Sequence, residues 1–316
     1  MLHFLRRRFL FFFFTYLISS LTIFFLLRVL PGDPARVIAG GREATEEQVA
    51  EIREKLGLNA ALPEQYLTWL GDFIGGDWGE TIAFRGADNR DLILERTRNS
   101  ARLAAVALLL SLPVSLALGI IAGLSENKLP DVIISLLTLS VVSLPEFVTG
   151  LFLINIVALR WGWFRASSAV PATASFGEML PALWLPAFAA TLTMLAYISR
   201  LTRAGVIEEL KRDYVRTAAL KGIAWRTVVW RHVLRNALLP TITVIAISIS
   251  WLVSGMVVIE FVFGFPGLGS LLIAAIERRD LLLVQAIVMV TVTIILFSNL
   301  FADLAYALLN PRVELS

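Results

Sequence analysis

Long uncharged apolar runs alternate with charged segments along the whole chain. A helix crosses a bilayer core of about 30 Å with roughly 20 residues, each adding about 1.5 Å. Six apolar runs reach that length, at residues 9–30, 103–124, 132–158, 179–198, 237–263 and 281–309. The pattern therefore predicts an all-α integral membrane protein with six transmembrane helices. Pro113, Pro145 and Pro186 fall inside three of the runs, and we expect each of them to kink its helix.

Composition agrees with a membrane protein and excludes several kinds of chemistry. Of 316 residues, 57% are hydrophobic and 17% are charged, whereas soluble domains average about 45–50% and about 25%. The chain has no cysteine, which excludes disulfides, thiolate metal sites and cysteine nucleophiles. Its two histidines, His3 and His232, lie far apart, and neither an HExxH nor a GxSxG motif is present. We therefore predict no catalytic residue and no metal site.

The first apolar run begins directly after three arginines, Arg6 to Arg8, as the apolar region of a secretory signal peptide also would. This run is longer than such a region usually is, and residues 30–33 do not form a small-x-small cleavage site. We therefore expect an uncleaved transmembrane helix at the start of the chain.

Charge is distributed unevenly among the segments that connect the apolar runs. The loop at 200–235 carries nine Lys and Arg against three Asp and Glu, whereas residues 31–100 carry eight against thirteen. Short basic loops stay in the cytoplasm, so we predict that both termini are cytoplasmic and that the acidic segment faces outward. The predicted parts are a basic start with the first helix at 1–30, an extracytoplasmic helical segment at 31–102, and a five-helix core at 103–316 with its cytoplasmic loop at 200–236.

The outer segment is predicted to contain two amphipathic helices. A capping box at Thr45 and Gln48 begins the first helix, and Gly57 ends it. The second helix begins near Pro63 and ends at a Gly-Gly pair. Its apolar side is expected to carry Tyr66, Leu70, Phe73 and Ile74. The segment is either a small helical cap on the membrane surface or a docking surface for an extracytoplasmic partner.

The cytoplasmic loop contains a helix-forming run in which apolar residues stand among charged ones. The apolar members are Tyr214, Val215, Ala218 and Ala219, and Gly222 then breaks the run. A short helix of this kind is not expected to bury its own apolar side. It either enters a groove on a partner protein, with Arg and Lys as a polar rim, or lies on anionic lipid head groups.

Polar residues inside the apolar runs are candidates for a translocation pathway, because burying them in a membrane is costly. The candidates are Glu146, Asn155, Ser250 and Ser254. Glu146 and the serines have structural alternatives, since the glutamate could bond backbone groups freed at a proline kink or another helix, and the serines could let helices approach closely. Glu260, near the end of a run, is expected to be structural. Tryptophans at run ends are expected to anchor at the membrane surface; they are Trp161, Trp163 and Trp184.

Several short stretches, spread in order along the whole chain, resemble one family of transport proteins. They are Leu30-Pro31-Gly32-Asp33-Pro34, Gly76-Asp77-Trp78-Gly79, Asp213-Tyr214-Val215-Arg216-Thr217-Ala218-Ala219-x-Lys221-Gly222, His232-x-Leu234-Arg235-Asn236-Ala237-Leu238-Leu239-Pro240, Glu260-x-x-Phe263-x-x-Pro266-Gly267-Leu268-Gly269, and Asn299-x-x-x-Asp303-x-x-Tyr306 before Asn310-Pro311-Arg312. Together they resemble the permease subunits of dipeptide and oligopeptide ABC importers, a family that also includes nickel, glutathione and opine types.

This resemblance implies a division of labour between subunits. The chain lacks the G-x-x-x-x-G-K-[ST] phosphate loop, so ATP and Mg²⁺ would bind to two partner ATPase subunits. A second, homologous permease would complete the pathway in a bacterial or archaeal cytoplasmic membrane, and an extracytoplasmic solute-binding protein would deliver peptides or similar small solutes. The residues implied to couple the chain to the ATPases are Asp213, Tyr214, Arg216, Thr217, Ala218, Ala219, Lys221, Gly222, His232, Arg235 and Asn236.

Three positions depart from the general importer pattern. Arg216 and Arg235 stand where the general loop has Glu and Pro, as is typical of the dipeptide branch. Asn310 replaces the usual Asp of the terminal motif, so the role of that position stays open, as does the identity of the carried solute. An ion-coupled secondary transporter is the alternative function, and it would need inverted repeats and several intramembrane acids.

Overall fold

The structure is a computed structural model, and it is built from helices joined by mostly short connections. It describes residues 2–29, 35, 36, 39, 44–55, 57–81, 84, 87–171, 173–238, 241, 245, 252 and 256–309. Among these residues the β pairing is limited to an isolated antiparallel bridge between Glu80 and Asp88. The predicted all-α class is therefore confirmed for the described part of the chain.

The described helices largely follow the predicted apolar and amphipathic runs, except that a helix at Leu268–Glu277 was not predicted and most of the run at 237–263 lies outside the described residues. In chain order they are α1 (Leu2–Val29), α2 (Glu46–Lys55), α3 (Leu62–Gly75), α4 (Asn89–Leu124), α5 (Leu129–Val142), α6 (Glu146–Leu153), α7 (Phe176–Leu210), α8 (Asp213–Leu220), α9 (Trp225–Thr227), α10 (Leu234–Ala237), α11 (Met256–Phe263), α12 (Leu268–Glu277) and α13 (Leu281–Leu309). Two π-helical stretches continue α6 and α9, at Ile154–Arg160 and Val228–Val233. Residues 225–237, from α9 to α10, form what we call the return segment.

Four of the described helices are long and apolar enough to cross a membrane by themselves. They are α1 over Arg6–Phe25, α4, α7, and α13 over Leu281–Leu304. Two pairs of shorter helices pass the same test only together, namely α5 with α6 and its π-helical continuation, and α11 with α12. The described residues thus hold four spans, or up to six if each pair crosses the membrane once.

The three prolines do not act alike. Pro113 and Pro186 lie inside the continuous helices α4 and α7. Pro145 instead stands at the break between α5 and α6, whose axes differ by 103°. A proline lacks the N–H for the helix ladder and disfavours helical geometry in the residue before it. The prediction of a simple kink at Pro145 is therefore wrong, because the helix ends there and a second one starts.

One compact unit consists of Met1–Asn99, Pro266–Leu296 and Leu315–Ser316. Its helix α2 begins with the predicted capping box: the Thr45 N–H donates to Gln48 Oε1 at 3.0 Å, and the Gln48 N–H donates to Thr45 Oγ1 at 3.3 Å. The helix stops before Gly57, which takes the positive φ expected of a helix end. The local helix signals in this unit are confirmed.

Aromatic side chains hold α3 against α1. The Tyr66 hydroxyl lies 2.7 Å from Ser20 Oγ, and the Tyr66 and Phe24 rings meet edge to face at 5.3 Å between centroids. Phe73 stacks on Trp78 at 5.2 Å. Ile74, predicted on the same side, is 71% exposed. The contact face follows positions 66, 69 and 73, and Ile74 lies about 100° further round the helix.

The second compact unit consists of Ser100–Phe265 and Phe297–Glu314. Its core gathers apolar side chains from α4, α7 and α11, among them Leu103, Leu183, Met194 and Phe263. Along α4 a small residue recurs at every fourth position, and this stripe comprises Ala107, Ser111, Ser115, Gly119 and Gly123. Spacing of this kind brings one side of a helix close to its neighbour.

The stripe of small residues lets α4 touch the backbone of α7. A Cβ added at Gly119 would lie 2.5 Å from Thr202 Cβ and 2.6 Å from the Ser199 carbonyl oxygen. At Gly123 it would lie 2.7 Å from Val206 Cβ. Between the helices, Ser199 Oγ donates to the carbonyl of residue 115 at 3.0 Å. The contact fixes the register of α7 against α4.

This close approach predicts that Gly119→Ala destabilises the protein. The added methyl group has no space, and overpacking of this kind costs about 1–3 kcal/mol. The matched control is Gly71→Ala, because Gly71 also lies within a helix but has nothing within 4 Å of an added Cβ. Thermal unfolding in detergent should show a lower midpoint for Gly119→Ala and an unchanged or higher one for Gly71→Ala. Equal midpoints for Gly119→Ala and the parent would contradict the close packing of α4 against α7 at this position.

Candidate functional site

The candidate coupling loop begins where α7 ends. Helix α7 starts at a capping box formed by Ser175 and Glu178 and runs to Leu210. Arg212 then takes an extended conformation, and Asp213 begins α8. After α8, Gly222 has φ of +74° with nothing within 4 Å of an added Cβ. The predicted break is confirmed, and it depends on backbone conformation because only glycine adopts this φ without strain.

One side of α8 is buried against the return segment. Val215 is buried with Val228 and Val233, and Tyr214 and Ala218 pack against this cluster. We predicted that α8 would not bury its own apolar side, and this prediction is wrong. The sharp turn at position 222 folds the chain back, so that valines of the return segment cover the helix.

Tyr214 ties α8 to the end of α7. Its hydroxyl donates to Glu209 Oε2 at 2.7 Å, and the Asn236 side chain bonds the same phenol. Burial, followed by the bond to the Glu209 carboxylate, raises the pKa of the Tyr214 phenol. The neutral phenol is therefore retained as a donor at neutral pH. Glu209 was not among the predicted residues, because nothing in the local sequence marks it as a partner.

The other side of α8 is exposed. Its exposed residues are Asp213, Arg216, Thr217, Ala219, Leu220 and Lys221. Leu220, which the sequence analysis did not single out, is 81% exposed and lies at the end of the helix. On the return segment, His232 is half-buried, whereas Arg235 and Asn236 are exposed. The predicted coupling residues are therefore divided between an exposed face and a supporting face.

A buried ion pair lies beside this loop. The Asp131 carboxylate on α5 receives hydrogen bonds from Arg203 Nε at 2.5 Å and from Arg203 NH2 at 2.8 Å. It also accepts the Asn127 N–H at 2.9 Å and Ser135 Oγ at 3.3 Å. Asp131 is buried, and its pairing fastens α5 to the part of α7 that leads into α8. The sequence analysis missed this pair, whose members are 72 residues apart.

The structure describes two of the four predicted pathway residues, Glu146 and Asn155. Glu146 is the first residue of α6 and is half-buried. Asn155 is exposed and donates to the Leu151 carbonyl of its own helix at 2.9 Å. Ser250 and Ser254 lie outside the described residues, as does Asn310. A pathway role for these residues stays a prediction.

Glu260 and the tryptophans predicted at the ends of the apolar runs are the remaining residues that the sequence analysis singled out in the membrane part of the chain. Glu260 is fully buried and accepts a hydrogen bond from Ser100, as expected of a structural residue. The predicted anchors Trp161, Trp163 and Trp184 are all exposed. Within the described residues, His, Asp and Glu side chains form no group of three or more that could hold a metal ion.

The described fold is that of a multi-pass membrane protein in which a short helix, with one side packed and the other exposed, follows a long apolar helix. Residues 115–315 match the family described as the binding-protein-dependent transport system inner membrane component, and residues 1–84 match the N-terminal part of such membrane components. The chain belongs to this family of inner-membrane transport components. It is the transmembrane permease subunit of an ABC importer, and ATP hydrolysis takes place on a separate subunit.

Curated relatives cover nearly the full length of the chain. A probable peptide ABC transporter permease of Sinorhizobium fredii is 36% identical over 92% of this chain and 93% of the relative. An oligopeptide transport system permease of Bacillus subtilis is 33% identical over 92% of each. A glutathione transport system permease of Escherichia coli is 34% identical over 95% of each. The predicted family is thus confirmed, and the secondary-transporter alternative is set aside.

A solved structure supports the fold. It is described as an amino acid ABC transporter with histidines and matches with a TM-score of 0.53 at 16% identity. The match covers 68% of this chain and 93% of that chain. At this identity the likeness concerns the arrangement of helices alone.

The buried ion pair predicts that Asp131→Asn lowers stability. Removing one partner of a fully buried ion pair lowers the free energy of unfolding by about 3–5 kcal/mol. Because the Arg203 side chain is 31% exposed and solvent screens its charge, we expect a smaller loss here, about 1–3 kcal/mol. The double variant Asp131→Asn with Arg203→Gln should lose less than the sum of the single losses, since no charge is left without its partner. The measurement is the unfolding midpoint in detergent.

Lys211→Gln is the matched control for this experiment. It removes the exposed ion pair between Lys211 and Glu126, in which Lys211 Nζ lies 3.0 Å from Glu126 Oε1. Exposed pairs contribute about 0–1 kcal/mol, so this midpoint should hardly move. Additive losses in the Asp131 and Arg203 variants would show that the two side chains do not stabilise one another.

Proposed function

We propose that this chain pairs with a second, homologous permease to form a translocation pathway for peptides or similar small solutes. Support comes from the relatives, whose names specify peptide, oligopeptide and glutathione transport. In this proposal the chain crosses the membrane six times, at the apolar runs 9–30, 103–124, 132–158, 179–198, 237–263 and 281–309, and the bent pair of α5 and α6 counts as one span. Most of the fifth run lies outside the described residues. Both termini are cytoplasmic, residues 31–102 form the extracytoplasmic segment, and residues 103–316 form the five-helix core. A solute-binding protein delivers the cargo to the outer side.

The exposed face of α8 is proposed as the docking element for an ATPase subunit. The observation that carries this proposal is the division of α8 into two faces, one packed on the return segment and one carrying Ala219 and Leu220 outward. An anchored helix with a short apolar outer face suits insertion into a groove of a partner. Arg216 and Lys221 beside it can form charge-assisted bonds to the groove rim. Two ATPase subunits, one for each permease, bind ATP and Mg²⁺.

The supporting contacts allow α8 to act as a lever. Tyr214 joins it to Glu209 at the end of α7, and the cluster around Val215 joins it to the return segment. Closure of the ATPases on ATP would move α8, and α7 would follow because it is fastened at the same point. Rigid-body movements of this kind switch transporters between two access states. The coupling loop then comprises the predicted residues together with Glu209 and Leu220.

Orientation is tested by labelling with introduced cysteines, since the natural chain has none. Glu47→Cys lies on the exposed side of α2, and Lys211→Cys lies at a side chain that is 64% exposed. With the chain in intact cells, an impermeant maleimide should label position 47 alone, and position 211 only after the membrane is opened. Labelling of both positions from the same side would contradict the proposed topology.

Docking is tested by Ala219→Trp in the assembled importer. The exposed position accepts the large side chain without disturbing the fold, but a groove packed to interior density rejects the added volume at a cost of about 1–3 kcal/mol. We expect normal abundance in the membrane and a loss of transport. The ATPases should either detach or hydrolyse ATP without responding to loaded binding protein.

The control for this test is Lys128→Trp, which adds the same bulk at an exposed position of another loop that is proposed to be cytoplasmic. Its transport rate and ATPase response should equal those of the parent. Parental transport by Ala219→Trp, with the ATPases still attached, would show that the exposed face of α8 is not the docking element.

A further inference from the structure

The return segment has two faces of different chemistry. Its buried residues are Val228, Val229, Val233, Leu234 and Ala237. Its exposed residues include Trp225, Arg226, Trp230, Arg231 and Arg235. The two indole side chains are 56% and 66% exposed. Trp is among the residues that proteins commonly bury at least in part, so two largely exposed ones on the same short segment call for a partner.

The buried face locates the segment along the spanning helices. Val229, Leu234 and Ala237 cluster with Val206 of α7, and Ile120 of α4 packs against them. Gly123 of α4 lies at the same level as Val206 of α7, because a Cβ added at Gly123 would lie only 2.7 Å from Val206 Cβ. Since the apolar run of α4 ends at residue 124, the return segment lies at the level where that run leaves the membrane.

The charges of the exposed face are all of one sign. From residue 214 to residue 259 the sequence contains no Asp or Glu. A face of this composition therefore attracts anions, and its arginines offer forked donors that match a phosphate. Indole rings sit preferentially at the level of lipid head groups, where one edge is apolar and the other is wet.

We propose that the outer face of the return segment binds anionic phospholipid head groups of the cytoplasmic leaflet. The indoles of Trp225 and Trp230 enter the interface, and the guanidinium groups of Arg226 and Arg231 pair with head-group phosphates. The proposal relies on the cytoplasmic orientation given under the proposed function. It gives the two halves of the loop different partners, because α8 docks an ATPase while the return segment rests on lipid.

An anchor of this kind would have a mechanical use. Helix α8 is packed against the return segment, so the two move together. Lipid contact would keep residues 225–237 at the membrane surface while α8 and the return segment move with the ATPase, and would so limit the movement to that surface. The alternative partner for the same face is the ATPase itself, and the experiment distinguishes the two.

The test uses the assembled importer in nanodiscs that contain brominated phosphatidylglycerol, brominated phosphatidylcholine or neither. Subtracting the emission of Trp230→Phe from that of the parent isolates the signal of this side chain, and Trp225→Phe provides a second, independent difference. We expect both brominated lipids to quench these differences, and phosphatidylglycerol to quench more at equal content. Stripping the ATPases from the nanodiscs should leave the quenching unchanged.

The charge requirement is tested with Arg226→Gln and Arg231→Gln. Each removed arginine should lower the preference for brominated phosphatidylglycerol over phosphatidylcholine, by about fivefold at most. Arg90→Gln, which removes an exposed arginine from the start of α4, should leave the preference as in the parent. Transport by Ala219→Trp has no bearing on this readout, so failure of the docking proposal and failure of the lipid proposal are distinguishable.

Two outcomes would overturn the lipid proposal. Emission differences that brominated lipid does not quench, but that change when the ATPases are stripped, would assign this face to the ATPase. Quenching that is equal for both lipids and unaffected by the arginine variants would mean that the indoles touch the membrane without an anionic head-group site.

Discussion

Gly119 and Gly123 leave no room for a side chain between α4 and α7, so the two helices meet in one register. A protein interior packed to this density does not slide continuously, because any shift drives a backbone atom into a neighbour. The hydroxyl of Ser199 adds a direct bond to the α4 backbone. The position of α7 along α4 is therefore fixed independently of the proposed coupling loop, and α8, which directly follows α7, is placed by it.

Three contacts join α7 to the elements around its C-terminal end. The pair between Asp131 and Arg203 fastens α5 to α7 near its end, and the Tyr214 hydroxyl fastens α8 to Glu209. The valine cluster around Val215 then joins α8 to the return segment, which packs back on α7 and α4. Helix α8, the return segment and the end of α7 thus pack on one another, so that α8 does not move independently of the other two. A movement imposed on α8 must displace its neighbours as well, which is the property that a coupling element needs.

Local signals were sufficient for much of this architecture. The apolar runs, the capping box at Thr45 and the break at Gly222 are properties of short sequence windows. The structure confirms the capping box and the break, and four of the six runs as long apolar helices. Contacts between distant residues were not predictable in this way. Val215 was expected to be uncovered because its partners follow only after the chain reverses, and the Asp131 pair joins two helices whose sequences carry no common mark.

The chemistry of the exposed face of α8 bears on the kind of contact it makes. Burying the Leu220 side chain contributes about 1.5–3 kcal/mol, which by itself corresponds to weak binding. Two such helices, one on each permease of the proposed pair, act together because the second docks intramolecularly once the first is seated. The proposed docking then depends on both helices being seated, because neither contact is strong enough by itself. In that proposal each α8 moves together with its groove when the ATPases close, and the paired contacts keep the complex assembled during the movement.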